Sequence, residues 1–315
     1  MELQNFEQKD QEIKRRFKKI LAEKGEIKKR INFSYTNWVF GIENLKDSIK
    51  RLKKYNVHYV ELHGNRYGKD IGYNTREVKK ILDDYDARVS GICGMVDSES
   101  ELSSKSPFVR QRCIDYFRRN IDLGKELNAE YILFSPGAVG RTVKYDDYEF
   151  HRAVETLQIL GDYFLESGVK GAIEPVASSI VSVCHNFECA KKMIDAIDHE
   201  GVKHIAGDVC HMLVGEEHIG ETILNYGNYL INLHMADTNR GVLGSGMLNL
   251  DIIIMALYLI GYNEKNGFCT AEPLQPNADP YIQRNGRSDP KILDEVVNKM
   301  ATYFYKREDE ILKNK

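Results

Sequence analysis

Two rhythms of apolar residues alternate along this chain. Short runs rich in Val, Ile, Phe and Tyr occur at INFSY (31–35), VHYVELH (57–63), RVSGIC (88–93), EYILFS (130–135), GAIE (171–174), HIAGD (204–208), YLINLH (229–234) and FCTAE (268–272). Between them lie longer stretches in which apolar residues return every three or four positions: NLKDSIKRLKKY, TREVKKILDDY, VRQRCIDYFRRNIDLGKEL, YEFHRAVETLQILGDYFLESG, ECAKKMIDAI and LDIIIMALYLIG. The first rhythm is that of strands buried in a parallel sheet, and the second that of helices laid over it. Eight such units in 315 residues predict an α/β chain folded as a (β/α)8 TIM barrel. An open doubly wound sheet is the structural alternative, but it would hardly bring groups from four successive strands to one point.

Two segments fall outside the minimal barrel. Residues 1–30 read as an N-terminal helical extension, with Phe6, Ile13, Phe17, Ile20 and Leu21 at helix spacing, which leaves 31–315 as the barrel domain. The expectation is a helix closing the bottom of the barrel; a docking surface for another subunit is the other reading. The stretch PLQPNADPYIQRNGRSDP (273–290) holds four of the seven prolines and predicts a long loop that covers or shapes a site.

Composition narrows the class. The chain is 42% apolar and 29% charged, enough for a full core, and its net charge of −3 argues against a general grip on nucleic acid. No run is long enough to cross a bilayer, and MELQNFEQKDQEIKRRFKK is too charged for a signal peptide, so a cytoplasmic location is expected. Six cysteines without CxxC spacing predict reduced thiols rather than a disulfide framework or a zinc finger.

Four potential metal ligands close the last four apolar runs: Glu174, Asp208, His234 and Glu272. A charged group at the end of a strand buried on both faces must be solvated, paired or bound to a cation. Carboxylates and one imidazole converging from neighbouring strands suit a divalent cation, Mn²⁺ first and Mg²⁺ or Co²⁺ as alternatives, with positions left for substrate oxygens. A network of buried ion pairs lining the barrel mouth is the competing reading. His63, at the end of the second run, and Tyr35, with Asn37 and Trp38 after the first, are further candidates for facing the same cavity, although aromatics at such positions more often pack.

The order Glu, Asp, His, Glu, with DVCHM around Asp208 and HMADTNRGVLGSG after His234, resembles the sugar phosphate isomerase/epimerase superfamily, the xylose-isomerase-like TIM barrels that include ketose 3-epimerases. The resemblance implies that Asp208 binds the metal beside His211, and that His234 binds it while Arg240 grips substrate. It also implies that Glu174 and Glu272 both bind the ion and flank the substrate as an acid/base pair. The general base stays open among Glu174, Glu272 and His211, and a support for a ligand is the equal reading of His211. Arg240 could instead pair with Asp237 at the surface.

One departure stands out. Where ketose 3-epimerases resemble one another in polar residues after the first metal glutamate, this chain reads EPVASSI, with Ala177 and Ile180 at those places. The stretch from HMADTNRGVLGSGMLNLDIIIMALYLIGYN to EPLQPNADPY looks like the α subunits of bacterial C-glycoside deglycosidases. That resemblance implies a smaller β subunit and cleavage of the carbon–carbon bond between a 3-oxo-sugar and an aromatic aglycone such as a flavone. Epimerisation of a ketose is the alternative activity; a DNA-repair endonuclease or a non-catalytic scaffold is a weaker reading, because the extra histidines, the basic surface and the eroded ligand set they call for do not appear.

Overall fold

The computed structural model describes residues 5–64, 72–274 and 289–313. Eight strands form one closed parallel barrel in chain order: β1 (Asn32–Thr36), β2 (Tyr59–His63), β3 (Arg88–Gly94), β4 (Tyr131–Phe134), β5 (Lys170–Ile173), β6 (His204–Asp208), β7 (Leu230–Met235) and β8 (Phe268–Ala271), with β8 pairing back onto β1. All eight runs read from the pattern are therefore strands, displaced by no more than two residues at their ends. Around them lie α1 (Asn5–Lys24), α2 (Leu45–Lys54), α3 (Thr75–Tyr85), α4 (Pro107–Leu127), α5 (Glu149–Ser167), α6 (Phe187–Ile197), α7 (Val209–Gly215), α8 (Ile219–Tyr226), α9 (Leu250–Leu259) and α10 (Pro290–Lys313).

Local chemistry sets where the helices begin. The side chains of Asn44, Asn74 and Asn186 accept backbone N–H bonds at the starts of α2, α3 and α6, and Pro107 occupies the first turn of α4. Asp86, Asn128 and Asp198 end α3, α4 and α6 in the left-handed conformation.

The period of two along the strands sorts the barrel interior into layers. At the amino ends, the Tyr59 and Phe268 rings meet edge to face at 5.2 Å. One step up, Glu61, Asn232, Thr270 and the Tyr131 hydroxyl form a polar layer, flanked by a Ser34–Ser90 hydroxyl pair at 2.7 Å. Another step up, at the carboxyl ends, lie His63, Asp208, His234 and Glu272, all buried.

The N-terminal helix does not close the bottom. α1 packs along the outer flank on α8 and α9: Ile13, Phe17 and Leu21 are buried, Phe17 meets Tyr258 at 6.2 Å between ring centres, and Asp10 accepts from Asn249 at 2.9 Å and pairs with His218 at 3.0 Å. Phe6 remains exposed. The apolar stripe is narrow, three buried positions about a turn apart, and it fits the groove between two helices better than the rim of a barrel. The amino ends of the strands instead border a cavity of about 650 Å³ lined by Asn32, Tyr59, Arg88, Glu130 and Phe268 and by no described residue of α1.

α10 completes the wall between the last and first units. Phe304 stacks on Phe33 at 4.6 Å, and the buried Glu308 accepts from the Ile31 backbone N–H at 3.0 Å and the Tyr258 hydroxyl at 2.7 Å. Most of the expected loop after β8, residues 275–288, lies outside the described residues. All six cysteines are free, and no described helix is long and apolar enough to cross a membrane.

Candidate metal centre

The four ligand candidates meet at the carboxyl mouth of the barrel. Glu174 follows β5 directly, Asp208 ends β6, His234 lies in β7, and Glu272 follows β8. Donor atoms of Asp208, His234 and Glu272 all lie within 4.8 Å of one another, and so do those of Glu174, Asp208 and His211. His234 Nδ1 stands 3.3 Å from Glu272 Oε1 and 3.6 Å from Glu174 Oε1.

Asp208, His234 and Glu272 are held from outside the cluster. Asp208 divides its carboxylate: Oδ1 caps α7 by accepting from the Cys210 N–H at 2.7 Å, while Oδ2 lies 3.3 Å from His211 Nε2 and 3.0 Å from Arg240 Nη2. The latter is an ion pair without hydrogen-bond alignment, so buried Oδ2 carries no hydrogen bond. Glu272 accepts from Trp38 Nε1 at 2.7 Å on one oxygen and from Arg240 Nη2 at 2.8 Å on the other. Arg240 thus bridges Asp208 and Glu272 rather than pairing with Asp237. The Asp237 carboxylate instead accepts the backbone N–H groups of Thr238, Gly244 and Leu248 and so shapes the β7–α9 loop. Arg240 itself sits at φ 53, a left-handed conformation that costs a non-glycine residue about 1 kcal/mol or more and collects at functional sites.

Beneath the cluster lies a residue the sequence reading passed over. Glu61 of β2 is buried, and its carboxylate faces His234 Nε2 at 2.9 and 3.2 Å while accepting from the Tyr131 hydroxyl at 2.7 Å. Its signal was available: in YVELH, Val60 and Leu62 belong to the outer face, which places Glu61 and His63 inside. Trp38, a candidate stacking surface from the sequence, donates its indole N–H to Glu272.

Electrostatics follow from these contacts. Burial raises the Asp208 carboxyl, but Arg240, His211 and His234 outweigh it and hold the group well below the usual carboxylate range. Burial disfavours a charged His234, yet Glu272 and Glu61 push it far above its ordinary value. Glu174 goes the other way: burial raises its carboxyl against the opposing influence of His234. Burial would likewise lower Arg240, but Asp208 and Glu272 keep it charged.

The donor set fits a divalent cation. It offers three carboxylates and an imidazole whose buried Nδ1 has no hydrogen-bond partner, beside an Asp208 oxygen in the same condition. Orphaned buried acceptors of this kind are rare unless something binds them. Glu174, Asp208, His234 and Glu272 would hold the ion, and His211 stands beside them.

Two further candidates fall differently. His63 is buried next to Trp38, ring centres 6.3 Å apart, with its backbone N–H on Asn37 Oδ1, so it reaches the mouth one side chain removed from Glu272. Tyr35 is not brought to the cluster. It points outward from β1, fully buried and stacked on Phe40 at 5.3 Å, because its neighbours Ser34 and Thr36 hold the inward positions.

This is the architecture of one large class of sugar-handling barrels, and a family model described as "Xylose isomerase-like TIM barrel" matches residues 49–292. The chain belongs to that family, within the sugar phosphate isomerase/epimerase superfamily. It is 27% identical over 170 residues to the D-psicose 3-epimerase of Ruminiclostridium cellulolyticum, an alignment covering 53% of this chain and 58% of that protein. The chain thus spans rather more than half the length of the curated relative it matches. In structure it is similar to a D-allulose 3-epimerase from Methylomonas sp. in complex with D-allulose (TM-score 0.76, 17% identity, 90% of this chain and 99% of that one). It is also similar to a 3-keto-D-glucoside 4-epimerase from E. coli (TM-score 0.71, 18% identity, 84% and 99%).

Proposed function

We propose that this protein is a divalent-metal-dependent sugar epimerase or isomerase that works by moving a proton at a carbon next to a carbonyl. The carrying observation is that Glu174 and Glu272 both approach His234 Nδ1, at 3.6 and 3.3 Å, in one largely buried cluster with Asp208. A bound cation would supply Lewis-acid stabilisation of the negative charge that develops on the substrate oxygen. The chain's own residues do the rest. One carboxylate takes the C–H proton, the C–H electron pair moves into the adjacent carbon–carbon bond and the carbonyl pair onto oxygen. The opposite carboxylate then returns a proton to the other face.

Glu272 is fixed on both oxygens by Trp38 and Arg240, which leaves Glu174 the freer of the two carboxylates and favours it as the group that first accepts the proton. Arg240 and His211 would orient substrate oxygens at the rim, and His63 would act behind Trp38. In D₂O with Mn²⁺, the protein should incorporate deuterium beside the carbonyl of a ketose substrate. Glu174→Gln and Glu272→Gln should each lower that exchange by at least about 100-fold. Exchange that persists at wild-type rate in either variant would remove the acid/base assignment.

A second reading keeps the proton step and changes its outcome. Ala177 and Ile180 put apolar groups in the loop after Glu174, and one structural neighbour is named for a 3-keto-D-glucoside. Both lend support to an oxidised glycoside, beside the ketose epimerases on which the first reading rests. On a 3-oxo-C-glycoside, loss of the proton at C2 would expel the aglycone from C1, which must be protonated as it leaves. A smaller β subunit belongs to this reading. Incubation with free ketoses and, separately, with a 3-oxo-C-glucoside distinguishes the two: inversion at C3 supports the first, and aglycone release the second.

A further inference from the structure

We infer that Glu61 is a positioning residue for the metal centre: by accepting the Nε2 proton of His234, it fixes the ring so that Nδ1 is the nitrogen presented to the cation. The inference rests on the metal-dependent reading above and deepens it.

An imidazole can bind a metal through either nitrogen, and the partner of the other nitrogen decides which. Glu61 settles the matter from below. It lies in the layer under the mouth, with no exposed surface, and its oxygens stand 2.9 and 3.2 Å from His234 Nε2, while Nδ1 faces Glu174 and Glu272. Its own orientation is fixed in turn. The Tyr131 hydroxyl donates to Oε2 at 2.7 Å, and Asn232 Nδ2 donates to the same oxygen at 3.4 Å. Asn232 is held with its amide nitrogen toward Glu61 because its carbonyl oxygen accepts from Thr270 Oγ1 at 2.7 Å. Four strands therefore contribute to one alignment: β2, β4, β7 and β8.

Gly91 of β3 belongs to the same device. A Cβ at this position would lie 2.3 Å from the Tyr131 ring, so only glycine lets that ring cross β3 to reach Glu61. A carboxylate needed merely to neutralise charge could sit anywhere nearby. This one is aligned by three strands besides its own and engages the single nitrogen that the mouth does not use.

The test is the Mn²⁺ dissociation constant of the metal-stripped full chain, measured for wild type, Glu61→Gln and Tyr131→Phe, with the imidazole ¹⁵N shifts of His234 recorded in the loaded protein. Glu61→Gln keeps the shape and an acceptor oxygen but removes the charge, and its affinity should fall about 10–100-fold. Tyr131→Phe loosens Glu61 without touching the histidine and should weaken binding about 3-fold. Wild-type His234 should show a protonated Nε2 and a metal-shifted Nδ1. If both variants keep the wild-type dissociation constant within twofold, or if Nε2 is the metal-shifted nitrogen, the inference is overturned. A merely structural Glu61 would lower the melting temperature and leave the constant of the folded protein unmoved, which also overturns it. Should Glu61→Gln fail to fold, the Tyr131→Phe constant decides. Wild-type protein that takes up no divalent cation would overturn the metal-centre reading itself, and this inference with it.

Discussion

At the scale of single residues, Arg240 stands where charge would otherwise be uncompensated. Its guanidinium bridges Asp208 and Glu272, both buried, so removing it leaves two carboxylates in low dielectric. Breaking such a pair from one side costs about 3–5 kcal/mol. Arg240→Ala should therefore lower the melting temperature of the metal-free protein strongly. Mn²⁺ should restore most of the loss, because the cation takes over neutralisation; its affinity for the variant should accordingly rise, and KM should rise as well. Thermal denaturation with and without Mn²⁺ checks this; equal losses in both conditions would refute it. The ligand set was legible because each of its charges ends an apolar run, which is an anomaly visible in one dimension. Glu61 was legible only in part: the alternation in YVELH turns it inward, but its partner His234 is 173 positions away.

Among elements, the strands were the most legible, since a run buried on both faces leaves little else for the chain to do. The short α7 and α8, and the closing α10, were not read because their apolar positions are few or are interrupted by charge. α1 was read as a helix but placed wrongly: its stripe shows which face is buried and not against what. The mouth is also braced where no ligand lies. Arg141 joins the buried Glu101 and Glu149, Ser182 donates to Glu149, and the loops after β3, β4 and β5 are tied into one rim.

The start of β6 carries a titration of its own. Burial, with Lys170 and Lys203 beside it, holds the His204 imidazole down at about 4 against its ordinary 6.5. The unfolded chain then binds a proton that the folded one refuses. His204's contribution is complete above pH 6.5 and is lost as the pH falls toward 4. Urea unfolding across that window should show stability falling by up to about 3 kcal/mol, and His204→Gln should flatten that part of the slope. An unchanged slope in the variant would remove His204 as its source.

For the molecule as a whole, a cation that binds only the closed barrel stabilises it by mass action. At 100 times its dissociation constant the gain is about 2.7 kcal/mol, which for a chain of this size raises Tm by about 5 °C. Titration with Mn²⁺ followed by EDTA should show that rise and its reversal, and a Tm indifferent to both would count against the centre. The closed topology matters here because the four ligands come from β5 to β8 while Glu61, which backs His234, comes from β2.

Asp208 gives the mouth a further property. With one oxygen tethering the first turn of α7 and the other turned toward the cluster, it makes the helix that bears His211 and the proposed ion share a single anchor. Such an arrangement works like a hinge pin: loading the cavity would stiffen the entry of α7, and a loosened α7 would swing the imidazole and the carboxylate away together.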